Sequence, residues 1–177
     1  GVRLHPAGAD RGGGDGPGEQ PAGRRILTGM TARARLLWTA VFGLGFGWVE
    51  AAVVVYLRAI VYPDGFALPL VPIAPPLAVV ELVREAATIA MLAAVAMLAG
   101  RTRWQRFSAF LVAFGIWDLI YYLGLKAALD WPASLATWDV LFLLPWPWIG
   151  PVYAPATVAV LMVVFGVKAA LVPLHFW

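Results

Sequence analysis

The apolar stretch LLWTAVFGLGFGWVEAAVVVYLRAIV, residues 36–61, decides the fold class of this chain. It is longer than the roughly 20 apolar residues that cross a bilayer as a helix. One carboxylate, Glu50, lies inside it, and a carboxylate in a bilayer is costly unless it is paired, protonated or functional. The stretch therefore predicts a membrane-spanning helix that contains an acid, which is paired, protonated or functional.

Three further apolar stretches of similar length follow the first. The predicted spans are 36–61, 77–99, 107–129 and 151–174. Of the 177 residues, 62% are hydrophobic, whereas a soluble domain is usually about half apolar. The sequence therefore predicts an all-α, polytopic membrane protein with four transmembrane helices in one domain, residues 30–177.

Two segments outside the spans have their own character. Residues 1–29 are rich in glycine, proline and charge, so we expect a disordered N-terminal tail that cannot bury enough apolar surface to fold. Residues 133–144 lie between the third and fourth spans and are too few to cross a bilayer. Because tryptophans flank this segment, we expect a short interfacial or re-entrant helix there.

Basic residues are distributed unevenly among the loops. Arg33 and Arg35 precede the first span, and Arg101, Arg103 and Arg106 lie between the second and third spans. The loops 62–76 and 130–150 contain no lysine or arginine. By the positive-inside rule both termini are expected in the cytoplasm, with the protein in the cytoplasmic (inner) membrane of a bacterium.

Seven charged side chains and one tyrosine inside the first three spans fall in the outer half of the predicted bundle. This predicted cluster consists of Glu50, Arg58, Glu81, Arg84, Glu85, Asp118, Tyr122 and Lys126. One interpretation is internal pairing, with Arg84 bridging Glu50 or Asp118. Another is a site in which the carboxylates bind a hard cation such as calcium, magnesium or manganese. In a third, Glu85 and Glu50 act as acid and base on a lipid-like substrate.

Two patterns predict contact surfaces. Gly43 and Gly47 form a small-residue pattern on the Glu50 face of the first span, which lets another helix approach closely. An aromatic segment precedes the fourth span. Its tryptophans are Trp131, Trp138, Trp146 and Trp148. They favour either an interface with a membrane-protein partner or a second copy, or anchoring at the lipid headgroups.

Several classes of site are disfavoured by composition. The chain has no cysteine and only two histidines, His5 and His175, so we predict no metal site built on thiolates or imidazoles and no cofactor. The net charge of +3 is small and its basic residues flank the spans, which argues against nucleic-acid binding. No nucleophile elbow, phosphate loop or dinucleotide fingerprint is present, so no catalytic residue is assigned and a non-enzymatic role is favoured.

Together these observations favour a structural or accessory subunit of a larger membrane complex, surrounded by the lipid bilayer. The alternative is an outward-facing carboxylate site that binds a hard cation or a lipid-like substrate, as a binding protein, a transporter or an enzyme.

Overall fold

The computed structural model describes residues 29–63, 65–66, 74–143 and 146–171. Its elements in chain order are α1 (Ala32–Val61), α2 (Pro75–Ala99), α3 (Arg103–Leu129), β1 (Trp138–Phe142), β2 (Trp148–Pro151) and α4 (Tyr153–Leu171). Each of the four helices is long and apolar enough to cross a membrane. The four predicted spans are therefore confirmed, and the chain is a multi-pass membrane protein.

Capping residues explain why two helices begin earlier than the apolar stretches do. The Thr31 hydroxyl accepts a hydrogen bond from the backbone N–H of Ala34, and α1 starts directly after it. The Thr102 hydroxyl accepts in the same way from Gln105 at the start of α3. A threonine at this position satisfies a backbone donor that the first turn leaves free. The helices thus extend beyond the apolar stretch into their flanking basic residues.

Helix α3 lies at the centre of the bundle and packs against α1, α2 and α4. The closest approaches occur at glycines. A Cβ atom added to Gly47 would lie 2.6 Å from the Trp117 carbonyl oxygen, and one added to Gly115 would lie 2.5 Å from the Ala159 carbonyl oxygen. A Cβ added to Gly43 would also press against α3, 3.0 Å from Ile116. The surface predicted at Gly43 and Gly47 is therefore a helix contact within this chain.

The two ends of the bundle differ in charge. At one end, which we call the basic end, the Arg35 guanidinium donates to the Gln105 side-chain oxygen over 3.5 Å. A shallow depression beside them is also lined by Ala99 and Ala170, so the ends of α2 and α4 lie there as well. The two strands lie at the opposite end, the hairpin end, where α1 finishes.

A short helix is predicted for residues 133–144, but residues 133–143, the described part of that segment, do not form one. Instead β1 and β2 pair as an antiparallel hairpin, with Asp139 opposite Gly150 and Trp138 opposite Pro151. Tryptophan, valine and phenylalanine favour strands. Strand geometry also turns neighbouring side chains to opposite faces, so Trp138 is exposed while Asp139 is buried.

The predicted tail, apart from Gly29, lies outside the described residues, as do residues 172–174 of the fourth predicted span.

Candidate functional site

A cavity of about 380 Å³ lies at the hairpin end, between α1, α2, α3 and the hairpin. Most of its lining is apolar. The polar residues that line it are Glu50, Arg58, Tyr62, Glu81, Arg84, Glu85, Thr88, Asp118, Tyr121, Tyr122 and Asp139. The cavity therefore combines an apolar surface with five carboxyl groups and two guanidinium groups.

One side of the cavity, which we call the paired wall, consists of Glu50, Glu81, Arg84 and Thr88. Arg84 donates from Nε to Glu81 Oε2 at 2.9 Å and from Nη1 to Glu50 Oε2. Thr88 lies one turn further along α2, and its hydroxyl donates to Glu50 Oε1 at 2.8 Å. Glu81, Arg84 and Thr88 share one face of α2 because they are three and four positions apart, and from that face Arg84 and Thr88 reach Glu50 on α1.

The hairpin is joined to α1 and α3 by a buried ion pair. Arg58, in the last turn of α1, donates to Asp139 Oδ1 at 3.2 Å, and the Tyr122 hydroxyl donates to Asp139 Oδ2 at 3.4 Å. The Arg58 guanidinium carbon lies 3.8 Å from the ring centroid of Trp131 and 4.3 Å from that of Phe66. These contacts place the guanidinium over two aromatic rings, which pack edge to face on each other, and against a carboxylate.

The residue that follows β1 contacts α2, and burial affects Asp139 within β1. Glu85 on α2 accepts the backbone N–H of Leu143, which lies 3.0 Å from both carboxylate oxygens. Burial raises the pKa of Asp139, and Arg58, the Val140 N–H and Tyr122 offset that rise only in part. The hairpin therefore contacts all three helices around the cavity through charged or hydrogen-bonded groups.

A second part of the lining, which we call the open wall, consists of Trp117, Asp118 and Tyr121 on α3. Asp118 exposes only 7% of its surface and lines the cavity. In the part of the chain that the structure describes, Asp118 has no hydrogen bond and no ion pair. The indole Nε1 of Trp117 is also buried without a partner among those residues. The open wall thus presents polar groups that the protein itself leaves unsatisfied.

Seven of the eight residues in the predicted cluster line this cavity, and Lys126 does not. Lys126 is half-exposed in the last turn of α3, where its Nζ lies 2.7 Å from Asp130 Oδ1. It also donates to the backbone carbonyls of Asp130 and Pro132. A cation at a helix C-terminus is favoured by the orphan carbonyls there. The cavity therefore holds five acids against two bases, whereas the predicted cluster holds four acids against three bases.

Four polar lining residues lie outside the predicted cluster: Tyr62, Thr88, Tyr121 and Asp139. Asp139 fell in the segment predicted as an interfacial helix, and the strand-favouring residues around it were the available signal. Among the four predicted interface tryptophans, Trp131 packs on Arg58. The other three, Trp138, Trp146 and Trp148, are exposed.

No protein-family model, curated protein or solved structure matches this chain. Its function is therefore inferred from the cavity and its lining.

Proposed function

We propose that the protein binds an amphiphilic, lipid-like small molecule in the cavity at the hairpin end. The cavity itself carries this proposal. Its volume of about 380 Å³ falls within the range of roughly 300–1,000 Å³ that is typical of small-molecule sites. Its mainly apolar lining with a few polar groups suits a ligand with an apolar tail and a polar head.

The contacts of the acids favour an organic ligand over a hard cation. A calcium or magnesium ion needs several free oxygen ligands around one point. In the cavity, Arg84 already holds Glu50 and Glu81, and the Leu143 N–H donates to Glu85. Among the described residues no group of three acids is placed to hold a metal ion. Internal pairing explains why those acids are buried, but it does not explain the burial of Asp118 on the open wall.

The arginines support a direction of entry. If the basic end faces the cytoplasm, as the positive-inside rule indicates, the hairpin end faces outward. The ligand then enters from the outer leaflet or the outer aqueous phase. A reporter that is active only in the cytoplasm, fused after Trp177, should be active. Activity restricted to a reporter that works only outside would contradict this orientation.

Two tryptophan substitutions on neighbouring residues of α2 test the proposal. Ala78 lines the cavity, whereas Val79 is exposed on the outer face of the same helix. Ala78→Trp should fill the cavity, and Val79→Trp should leave it open. Each protein is purified in a mild neutral detergent, and the retained amphiphiles are extracted and counted per protein by mass spectrometry.

The expected result is one retained species in the wild type and in Val79→Trp, and its depletion in Ala78→Trp. An identical profile of retained amphiphiles in all three proteins would contradict the proposal.

A second function, as an accessory subunit, is favoured by the exposed tryptophans. Trp138, Trp146 and Trp148 expose 56%, 65% and 51% of their surfaces at the hairpin end. Exposed aromatic residues are enriched at protein interfaces, although tryptophan also anchors at lipid headgroups. Gentle solubilisation and native mass measurement should then yield a larger complex, with a partner or a second copy. A single monodisperse chain would contradict this function.

A further inference from the structure

Asp118 differs from the other four carboxyl groups of the cavity in what surrounds it. Glu50, Glu81, Glu85 and Asp139 each accept a hydrogen bond from an arginine or a backbone N–H. Asp118 is as buried as they are, with 7% of its surface exposed. Of the five, it is the one without a hydrogen bond or ion pair in the described part of the chain.

The charges of the cavity leave Asp118 without compensation. Its lining holds five carboxyl groups against the guanidinium groups of Arg58 and Arg84. Both guanidinium groups are engaged by other acids, Arg58 by Asp139 and Arg84 by Glu50 and Glu81. A buried carboxylate needs a proton or a cation close by. The cation can come from the ligand, because Asp118 faces the space that the ligand fills.

The neighbours of Asp118 indicate which kind of cation fits. Trp117, Tyr121 and Tyr122 lie beside it on α3, and all three line the cavity. One carboxylate with aromatic neighbours suits an ammonium group, which is attracted both by the charge and by the ring faces. A metal ion would need further oxygen ligands that the other acids, held by their own donors, do not offer.

We infer that the ligand carries a positively charged ammonium group and that Asp118 anchors it. This inference rests on the proposed function, since it assigns the head group of the amphiphile that the cavity binds. The apolar remainder of the lining accommodates the chain of the same molecule.

The test compares two probes of equal chain length on the purified full chain in a neutral detergent. Decyltrimethylammonium carries a permanent positive charge, and decanol carries none. Native mass spectrometry reports the occupancy of each probe as a function of its concentration. The wild type should bind the ammonium probe about tenfold more tightly or better, the size expected of one buried charge interaction.

Asp118→Asn should remove this preference, so that both probes bind with equal affinity. Asn keeps the shape of the side chain, and the substitution breaks no contact within the described residues. Asp130→Asn is the matched control, since Asp130 is an exposed aspartate just after the same helix. It should keep the preference of the wild type.

A third probe, decylphosphocholine, separates two sources of an ammonium group. Affinity equal to that of decyltrimethylammonium indicates a phospholipid headgroup, and weaker binding indicates a simple alkylamine. In either case the binding should depend on Asp118.

The outcomes distinguish a failure of the Asp118 anchor from a failure of the proposed binding function. If the wild type binds both probes equally, or if Asp118→Asn keeps the preference, the anchor is overturned while the cavity remains a binding site. The wild-type comparison needs no variant, so it decides the question even if Asp118→Asn does not fold. If neither probe binds the wild type better than it binds Ala78→Trp, the proposed function fails and the anchor fails with it.

Discussion

The two walls of the cavity bury acids to the same extent but surround them differently. Glu50 on the paired wall exposes 5% of its surface, and Asp118 on the open wall exposes 7%. Glu50 contacts Arg84 and Thr88, whereas Asp118 has no such contact among the described residues. Burial alone therefore does not mark an acid that is available to a ligand. What distinguishes Asp118 is that it lacks a hydrogen-bond or ion-pair partner among the described residues.

The paired wall also has a structural task that the open wall lacks. Helices α1 and α2 contact each other little, because both pack mainly against α3. Hydrogen bonds from Arg84 and Thr88 on α2 to Glu50 bridge α1 and α2. We therefore expect substitutions in the paired wall to change stability, and substitutions in the open wall to change binding.

The largest loss of stability is expected for Arg84→Gln. This substitution leaves the carboxylates of Glu50 and Glu81 buried without their cation. Removing one partner of a buried ion pair costs about 3–5 kcal/mol. Unfolding in mixed detergent micelles measures the loss. Arg103→Gln, at an exposed position of the basic end, is the control and should change stability by less than about 0.5 kcal/mol.

A double substitution then tests whether the two charges are coupled. Because Glu50 and Arg84 share one contact, Glu50→Gln and Arg84→Gln together should cost less than the sum of the two single losses. Strictly additive losses would show that Glu50 and Arg84 are not energetically coupled.

Much of the fold could be predicted from the sequence, because bilayer spans depend on long apolar stretches. The length of the stretch around Glu50 was enough to assign α1. The hairpin was missed, since a dozen residues with tryptophans and flanking prolines fit an interfacial helix by composition. Its strands depend on the pairing of Asp139 with Gly150, and the strand-favouring residues around Asp139 do not by themselves specify that partner.

The candidate site was foreseeable in outline and not in its charge balance. Helical spacing was enough to bring Glu81, Arg84 and Glu85 to one face. It could not show that Lys126 pairs with Asp130 at the helix end or that Asp139 turns into the cavity. For this reason the larger excess of acids, and with it the isolation of Asp118, emerged only from the structure.

The next largest effect is expected at the glycine that sets the distance between the two walls. Gly47→Ala places a methyl group 2.6 Å from the Trp117 carbonyl oxygen, so α1 must shift away from α3. Overpacking of this kind costs about 1–3 kcal/mol. A Cβ at Gly45, two residues earlier, meets nothing within 4 Å, and Gly45→Ala is the control.

Unfolding measurements on these two variants would show whether the close contact matters. If Gly47→Ala unfolds at the same detergent composition as Gly45→Ala, the close approach of α1 and α3 at this glycine does not contribute to stability.

A smaller effect that depends on pH is expected for Asp139→Asn. Asn keeps an oxygen for Arg58 and loses the charge, which should cost about 1 kcal/mol at neutral pH. Burial raises the pKa of Asp139 in the folded state. Its contribution to stability is therefore complete below the ordinary pKa of the group and is lost as the pH rises through the raised pKa.

The wild type should accordingly gain stability over Asp139→Asn as the pH falls from neutral towards the ordinary pKa of an aspartate. Thermal unfolding of both proteins at several pH values measures this difference. A difference that is independent of pH, or that shifts in favour of the variant on acidification, would contradict the burial of this carboxyl group.

We propose that the protein needs the Glu50 carboxylate of the paired wall for its own stability. It leaves the Asp118 carboxylate of the open wall available to a ligand. The most direct test is the free energy of unfolding of Glu50→Gln and Asp118→Asn in the same ligand-free detergent. Glu50→Gln should lose about 1.5–3 kcal/mol, because it breaks hydrogen bonds to a charged group. Asp118→Asn should be as stable as the wild type within about 0.5 kcal/mol, or more stable. Equal losses in the two variants would contradict the account.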